Sequence, residues 1–403
     1  MYTGLPREYK KRFSDFFRKR RHWIGLVLYD NRILAFVLRK GNGEDKVDIP
    51  SVKWAASRGI KGGRIVNSRT AGAVMCSLLK SVTAEAKVKD DRVLLGLDIP
   101  ALKLTPKQWT DNRCLKVPCD ATTYKRMLRG VVRESTIDSQ HIIEIMPLRI
   151  TMDERLVEDP LGITGQMTMD NLLISLTYQD KNDFEGCLKG IKYTCESFFS
   201  GFHNLCSAFP EFANEGEYVL LIDLKYNSTD IVMFRGSQPL AMKCYKQGLD
   251  EIILYSLAYS LNIGRNGAIR CFKRYCDWRK DIDGEIVGEE EVFGSFTALK
   301  YWEIHESVMG QLKNFIVMRG GISDLLTKLH QGVRALPERL LITGKGACIP
   351  EIDKLFENRL NVKAGLMNWS FPGIAGTVPA TAYGMARSIA RDIGAGIHGV
   401  QNA

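Results

Sequence analysis

Apolar and polar positions along this chain change period repeatedly, in the order expected of an α/β protein. Trp23 to Leu38 reads as a strand, a turn and a second strand, and a helix is expected over about Ser68 to Ala86. VLLGLDIPALKL, Val93 to Leu104, begins a stretch of short elements ending near Ile150. NLLISLTY opens a second half at Asn171, with a helix expected around Asp183 to His203. Leu220 to Phe234, LLIDLKYNSTDIVMF, is a second apolar hairpin with a polar turn. Helices are then expected over Gly248 to Leu261, Ile269 to Asp283 and Ala298 to Val317, the last two separated by an acidic loop, GEIVGEEEVFGS. LLITGKGACIPEIDKLF, Leu340 to Phe356, reads as a buried strand, a Gly-x-Gly turn and a helix.

The second hairpin carries the most chemistry. Strand, Asp, turn, Ser/Thr-x-Asp, strand is the layout of a phosphate-binding β-hairpin, in which glycines let backbone N–H groups approach phosphate oxygens. Asp223, Ser228 and Asp230 occupy the polar posts, with the two acids on the side of a magnesium ion. Lys225, Tyr226 and Asn227 fill the turn where glycine is expected, and the Lys225 ammonium is the group that would replace the lost N–H contacts to phosphate. Gly344 and Gly346 can clasp a nucleotide or simply make a tight turn. Asp223 can equally end a strand, and Asp230 can hold a turn hydrogen bond.

Taken together, these segments resemble the actin, sugar-kinase and heat-shock-chaperone superfamily, and within it the bacterial cell-division FtsA family. AASRGIKGGRIVN, Ala55 to Asn67, and DPLGITG, Asp159 to Gly165, match two segments of that family in order and spacing. The resemblance implies an actin-like two-lobed α/β fold, with duplicated ribonuclease-H-like cores and an FtsA-type inserted subdomain. It divides the chain after a basic N-terminal helix, 1–22, which the family usually carries at its C-terminus instead, into a first core, 23–87 and 366–403; the insert, 88–166; a second core, 167–243 and 300–365; and a small partner-binding subdomain, 244–299. It also implies ATP and magnesium, but the family's pattern is altered. Val27, Leu28, Tyr29 and Asp30 stand where an acid, an apolar residue, glycine and Ser/Thr open the first hairpin turn. Gly267 and Arg270 stand where Glu and Lys face the ribose. Asp223, Ser228, Asp230, Arg270, Gly344 and Gly346 are what remains of a nucleotide site. Weak or lost hydrolysis is expected; an active ATPase forming nucleotide-regulated filaments is the alternative.

Charge adds two further surfaces. Between residues 1 and 22, eight basic residues against two acidic ones give a local charge of +6, more than half of the chain's +10. On a helix at about 100° per residue, Leu5, Tyr9, Phe13, Phe16 and Phe17 form one stripe with Trp23 at its end. Lys10, Lys11, Arg12, Arg18 and Lys19 lie around it, the pattern of an interfacial helix on an anionic membrane. A helix packed on its own domain and a nucleic-acid-binding arm are the alternatives, and the one-sided stripe favours lipid over nucleic acid. The Gly-rich DIGAGIHGVQNA has no anchor character. IRCFKRYCDWRKDID presents Arg270, Lys273, Arg274, Arg279 and Lys280, where the resemblance places the grip on the C-terminal tail of FtsZ; a solvated helix face with its aromatics in the core is the alternative.

Composition is that of a globular chain of two or three domains, 45% hydrophobic and 25% charged over 403 residues. No apolar run reaches the roughly 18 residues of a membrane span, and no signal peptide is read. Ten cysteines are scattered without zinc spacing, so reduced cytosolic thiols and no metal site are expected. The expected function is that of an adaptor tethering FtsZ to the cytoplasmic face of the inner membrane at the division site, self-associating into actin-like protofilaments.

Overall fold

Strand-length runs that are apolar on both faces become the central strands of two sheets, and helices cover them. The computed structural model describes residues 21–29, 31–41, 47–135, 139–157, 159–209, 214, 216–277, 286–292, 295–317, 321–324, 326–327, 336–371 and 377–392. The chain divides into two compact units, one of 1–213, 237–239 and 369–401, the other of 214–236, 240–368 and 402–403.

The first unit is built on a five-stranded sheet. Its strands are β1 (His22–Tyr29), β2 (Arg32–Lys40), β3 (Val47–Ala56), β6 (Arg92–Asp98) and β11 (Thr194–Ser200), in the order β11-β6-β1-β2-β3. β1 to β3 form an antiparallel meander, and β6 and β11 run parallel to β1 and to each other. The SRGIKGG segment folds into a small hairpin of β4 (Ile60–Lys61) and β5 (Arg64–Ile65). Asn67 then caps α1 (Ser68–Ala86), its Oδ1 accepting from the Thr70 N–H at 2.9 Å.

An α+β module is inserted after β6. It contains β7 (Lys103–Asp111), α2 (Ala121–Glu134), β8 (Gln140–Met152), β9 (Arg155–Leu156) and β10 (Met167–Thr177), with sheet order β7-β10-β8-β9. Cys114, Tyr124, Met127, Met167 and Met169 form part of its own core. DPLGITG holds the module's loops together: Cys119 N–H donates to Ile163 O, Gly162 N–H to Cys119 O and Gly165 N–H to Cys114 O. α3 (Tyr178–Gly190), β11, α4 (Gly201–Ala208) and the last described helix, α9 (Ala380–Asp392), complete the unit.

Boundaries therefore differ from the expected ones. β6 lies in the core sheet rather than opening the insert, because RVLLGLD is apolar on both faces and fits only between two strands. The insert runs on through β10, so Asn171 sits inside its sheet. Asp183 to His203 is a helix, a strand and a second helix, all in the first unit. TCESFF carries β-branched and aromatic residues that favour β11 over helix.

The second unit repeats the sheet order of the first. β12 (Tyr218–Leu224), β13 (Thr229–Arg235), β14 (Gln238–Tyr245), β17 (Arg339–Gly344) and β18 (Lys363–Leu366) are arranged β14-β13-β12-β17-β18. Read from the other edge, this is again a three-strand meander with two parallel strands beside its first strand. A π-helical turn, Asp250–Leu254, leads into α5 (Tyr255–Ser260), followed by α6 (Arg265–Asp277). The expected acidic loop is a hairpin of β15 (Ile286–Val292) and β16 (Ser295–Lys300). α7 (Tyr301–Val317) and α8 (Ile352–Leu360) pack in the same core as β12 and β17.

Candidate functional site

In the second unit, the turn between β12 and β13 is closed on itself. Lys225 N–H donates to Ser228 O at 3.0 Å, and Asp223 pairs with Asp230 across the ladder. Both carboxylates are buried, Asp223 at 4% and Asp230 at 1% exposure, with Ser228 beside them at 8%. The Lys225 ammonium is hydrogen-bonded to Asp230 Oδ2 and lies 3.7 Å from Asp223 Oδ2. A cation is thus already present between the two acids, supplied by the turn itself. The ammonium that could replace lost N–H contacts to phosphate is engaged inward here: two buried carboxylates draw it, since a close opposite charge offsets their desolvation.

The turn's backbone is also engaged. Lys225 O and Tyr226 O accept from the N–H groups of Leu249 and Asp250, at 2.9 and 2.8 Å. A side chain at Gly248 would place its Cβ 2.4 Å from Ser228 N, so the approach requires glycine there. Thr229 Oγ1 donates to Gln247 O at 2.8 Å. Arg265 makes two hydrogen bonds to Asp250, of 3.2 and 2.6 Å, and the Tyr226 phenol lies with them. Burial, then the charge of Asp250, pushes that phenol's pKa up.

Gly344 and Gly346 approach the same strand. Gly344 has φ +78°, and a Cβ there would lie 2.3 Å from Asp223 Oδ1; at Gly346 it would lie 2.4 Å from Leu224 Cδ2. Their glycine character is needed for packing β17 and the following 3₁₀ turn, Lys345–Cys348, against β12. Arg270 lies on the exposed face of α6 and Gly267 is buried. The acid pair, with Lys225 between its members, does not fit a magnesium ion as arranged. Among the described residues no cluster of His, Cys, Asp and Glu could hold a metal.

The first unit has a corresponding turn after β1. Tyr29 Oη and Thr381 Oγ1 are 3.0 Å apart, and Thr381 donates to Asp98 Oδ2 at 2.9 Å. Asp98 ends β6 beside Tyr29 in the parallel ladder, so one buried chain of hydrogen bonds links two strand ends to α9. Val27 is a core residue paired with Leu34, one ladder pair before the last of the hairpin. Sequence reasoning found Tyr29 but neither Asp98 nor Thr381. A lone acid closing an apolar strand, LLGLD, was the available signal for Asp98.

Lys273 and Arg274 are exposed on α6 with Arg270, but Phe272 and Tyr275 are buried at 6% and 0%, so its described rings serve the core. Tyr275 Oη is 2.9 Å from His305 Nδ1, and burial raises its pKa. Arg279 and Lys280 lie outside the described residues. Tyr9, Lys10, Lys11, Arg12, Phe13, Phe16, Phe17, Arg18 and Lys19 do so too. Trp23 is not the end of a lipid-facing stripe; it is fully buried in β1 opposite Leu38. Among the described residues, no helix is long and apolar enough to cross a membrane.

No protein-family model matches the chain, and no curated protein is similar to it in sequence. Solved structures are similar in fold. The PilM–PilN type IV pilus biogenesis complex has a TM-score of 0.59 at 16% identity, covering 92% of this chain and 97% of that one. MreB5 of Spiroplasma citri, bound to ADP, has a TM-score of 0.51 at 12% identity, covering 93% and 99%. With the repeated sheet topology, these likenesses define the class: the protein has the actin-like ATPase fold.

Proposed function

We propose that this protein is an actin-like adaptor that recruits partners and hydrolyses ATP weakly or not at all. The observation that carries the reading is Lys225, whose ammonium lies between the two acids expected to face a magnesium ion. The closed turn supports it further, because its carbonyls and the Tyr226 phenol are committed to the next helix. Nucleotide can still be bound without turnover, and actin-like faces can assemble protomers into filaments.

The finer form of the reading is a tether between FtsZ and an anionic inner-membrane surface at the division site. SRGIKGG and DPLGITG, in FtsA-like order, support it, as do the exposed Arg270, Lys273 and Arg274 on α6. A second form is an adaptor in a pilus-type assembly, favoured by the likeness to the PilM–PilN complex over nearly the whole chain. Two measurements test the reading. Purified protein with ATP and magnesium is expected to show little or no turnover above a no-protein control; substantial turnover that disappears in Asp223→Asn would overturn the adaptor reading. Charge reversal at Lys273 and Arg274 is expected to weaken binding of an FtsZ tail peptide, and unchanged affinity would remove FtsZ as the partner at α6.

A further inference from the structure

β3 is the last strand of the first unit's sheet, pairing with β2 alone among the described strands. Its two halves differ. Pro50 and the register shift between Val37 and Arg39 blunt the first half, as edge strands usually require. The second half, Ser51 to Ala56, has neither a proline nor a register shift, and its one lysine, Lys53, is held by an ion pair. A groove of about 400 Å³ runs along it. One wall is Lys53, Trp54, Ala55 and Ala56, consecutive residues from both faces of the strand, so the groove follows the open edge. The other wall is Val74, Ser77, Leu78 and Ser81, one face of α1 at helical spacing.

The charge at this edge is one-signed. Lys53 is neutralised by Glu85 at 2.8 Å, and Glu85 also accepts from Ser51. Arg32 lies over the Trp54 ring, 4.6 Å from its centroid, and Trp54 is 39% exposed. Arg58 is exposed at the end of the groove. Neither Arg32 nor Arg58 has a carboxylate partner among the described residues. An edge with unpaired backbone groups, an aromatic platform and two uncompensated guanidinium groups suits a strand that carries acids.

We propose that the edge of β3 from Ser51 to Ala56 takes up an extended acidic segment of a partner protein as an added strand. The segment lies between β3 and α1, with carboxylates against Arg32 and Arg58. This surface is independent of the α6 cations invoked above, and its partner does not depend on that reading.

The test uses the full chain and an acetylated, amidated peptide of about eight residues alternating Val and Glu, with a Val/Lys peptide as control. Amide exchange within Ser51 to Ala56 is expected to slow about tenfold with the Glu peptide and not with the Lys peptide. R32E/R58E is expected to abolish the protection; R58E, at an exposed cation, serves if the double variant does not fold. Three results would overturn the proposal: no protection at β3, equal protection by both peptides, or protection unaffected by charge reversal. Concentration-dependent dimerisation without peptide, protecting the same amides, would assign the edge to a second copy of the chain and overturn it too.

Discussion

Tyr29 and Thr381 are 352 residues apart in sequence, and their hydroxyl oxygens lie 3.0 Å apart. Thr381 passes the link to Asp98, which is 9% exposed. Thr381→Val therefore removes a donor from a buried carboxylate, whereas Tyr29→Phe removes only one hydroxyl contact. The expected cost is about 1–3 kcal/mol for the first and roughly 0.5–1.5 kcal/mol for the second. Urea denaturation of both variants measures this, and the reverse order would show that Tyr29 is the principal group.

Lys225 holds together two acids that face each other across the hairpin. Lys225→Met leaves both carboxylates buried without that cation, and an expected loss of about 3–5 kcal/mol follows for a buried pair deprived of one partner. Adding Asp230→Asn removes one of the two charges, so the double variant is expected to regain part of that stability. A double variant less stable than Lys225→Met alone would mean that charge is not what Lys225 balances.

Much of the fold was legible because the relevant segments are apolar on both faces. LLIDL and RLLITG each read as a buried strand and each proved to be a central strand, whereas VLLGLD, equally apolar on both faces, was assigned to the insert. What was misread depended on partners distant in sequence. Asn171 lies in an alternating strand whose neighbours, β7 and β8, come from before it, so no local signal assigned it to the insert. At the candidate site, Asp223, Asp230 and the glycines were readable from spacing, but the direction of the Lys225 side chain was not. It follows from the burial of both acids, which depends on Gly248 and Gly344 bringing other segments against the turn. Asp98 and Thr381 become a pair only when α9 closes on the first sheet, 283 residues after β6.

His141 gives the first unit a pH dependence. It sits in β8 opposite Leu176, its ring 5.9 Å from that of Tyr178. Its pKa is lowered from the ordinary 6.5, first by burial and then by the charge of Lys181. The folded state thus prefers the neutral ring. The stabilisation is present above 6.5 and is lost as pH falls through that value towards the lower folded pKa. Thermal midpoints measured between pH 7.5 and about 5 are expected to fall less in His141→Gln than in the parent. Parallel curves would exclude His141 as a contributor.

The membrane reading depends on the stripe formed by Tyr9, Phe13, Phe16 and Phe17. Each ring can remove apolar area from water at about 25 cal/mol per Å². Each flanking Lys or Arg adds roughly 1 kcal/mol near an anionic surface, less as salt rises. The two contributions respond differently to substitution. Phe13→Glu with Phe16→Glu is expected to release the protein from phosphatidylserine-containing liposomes even at low salt. Neutralising Lys10, Lys11 and Arg12 is expected to leave low-salt binding largely in place while making it fail at lower salt than in the parent. Liposome co-sedimentation across a salt series separates these outcomes. Retention of the Phe→Glu pair on the liposomes would show that the aromatic stripe does not meet lipid, and would leave the packed-helix alternative for the segment that precedes β1.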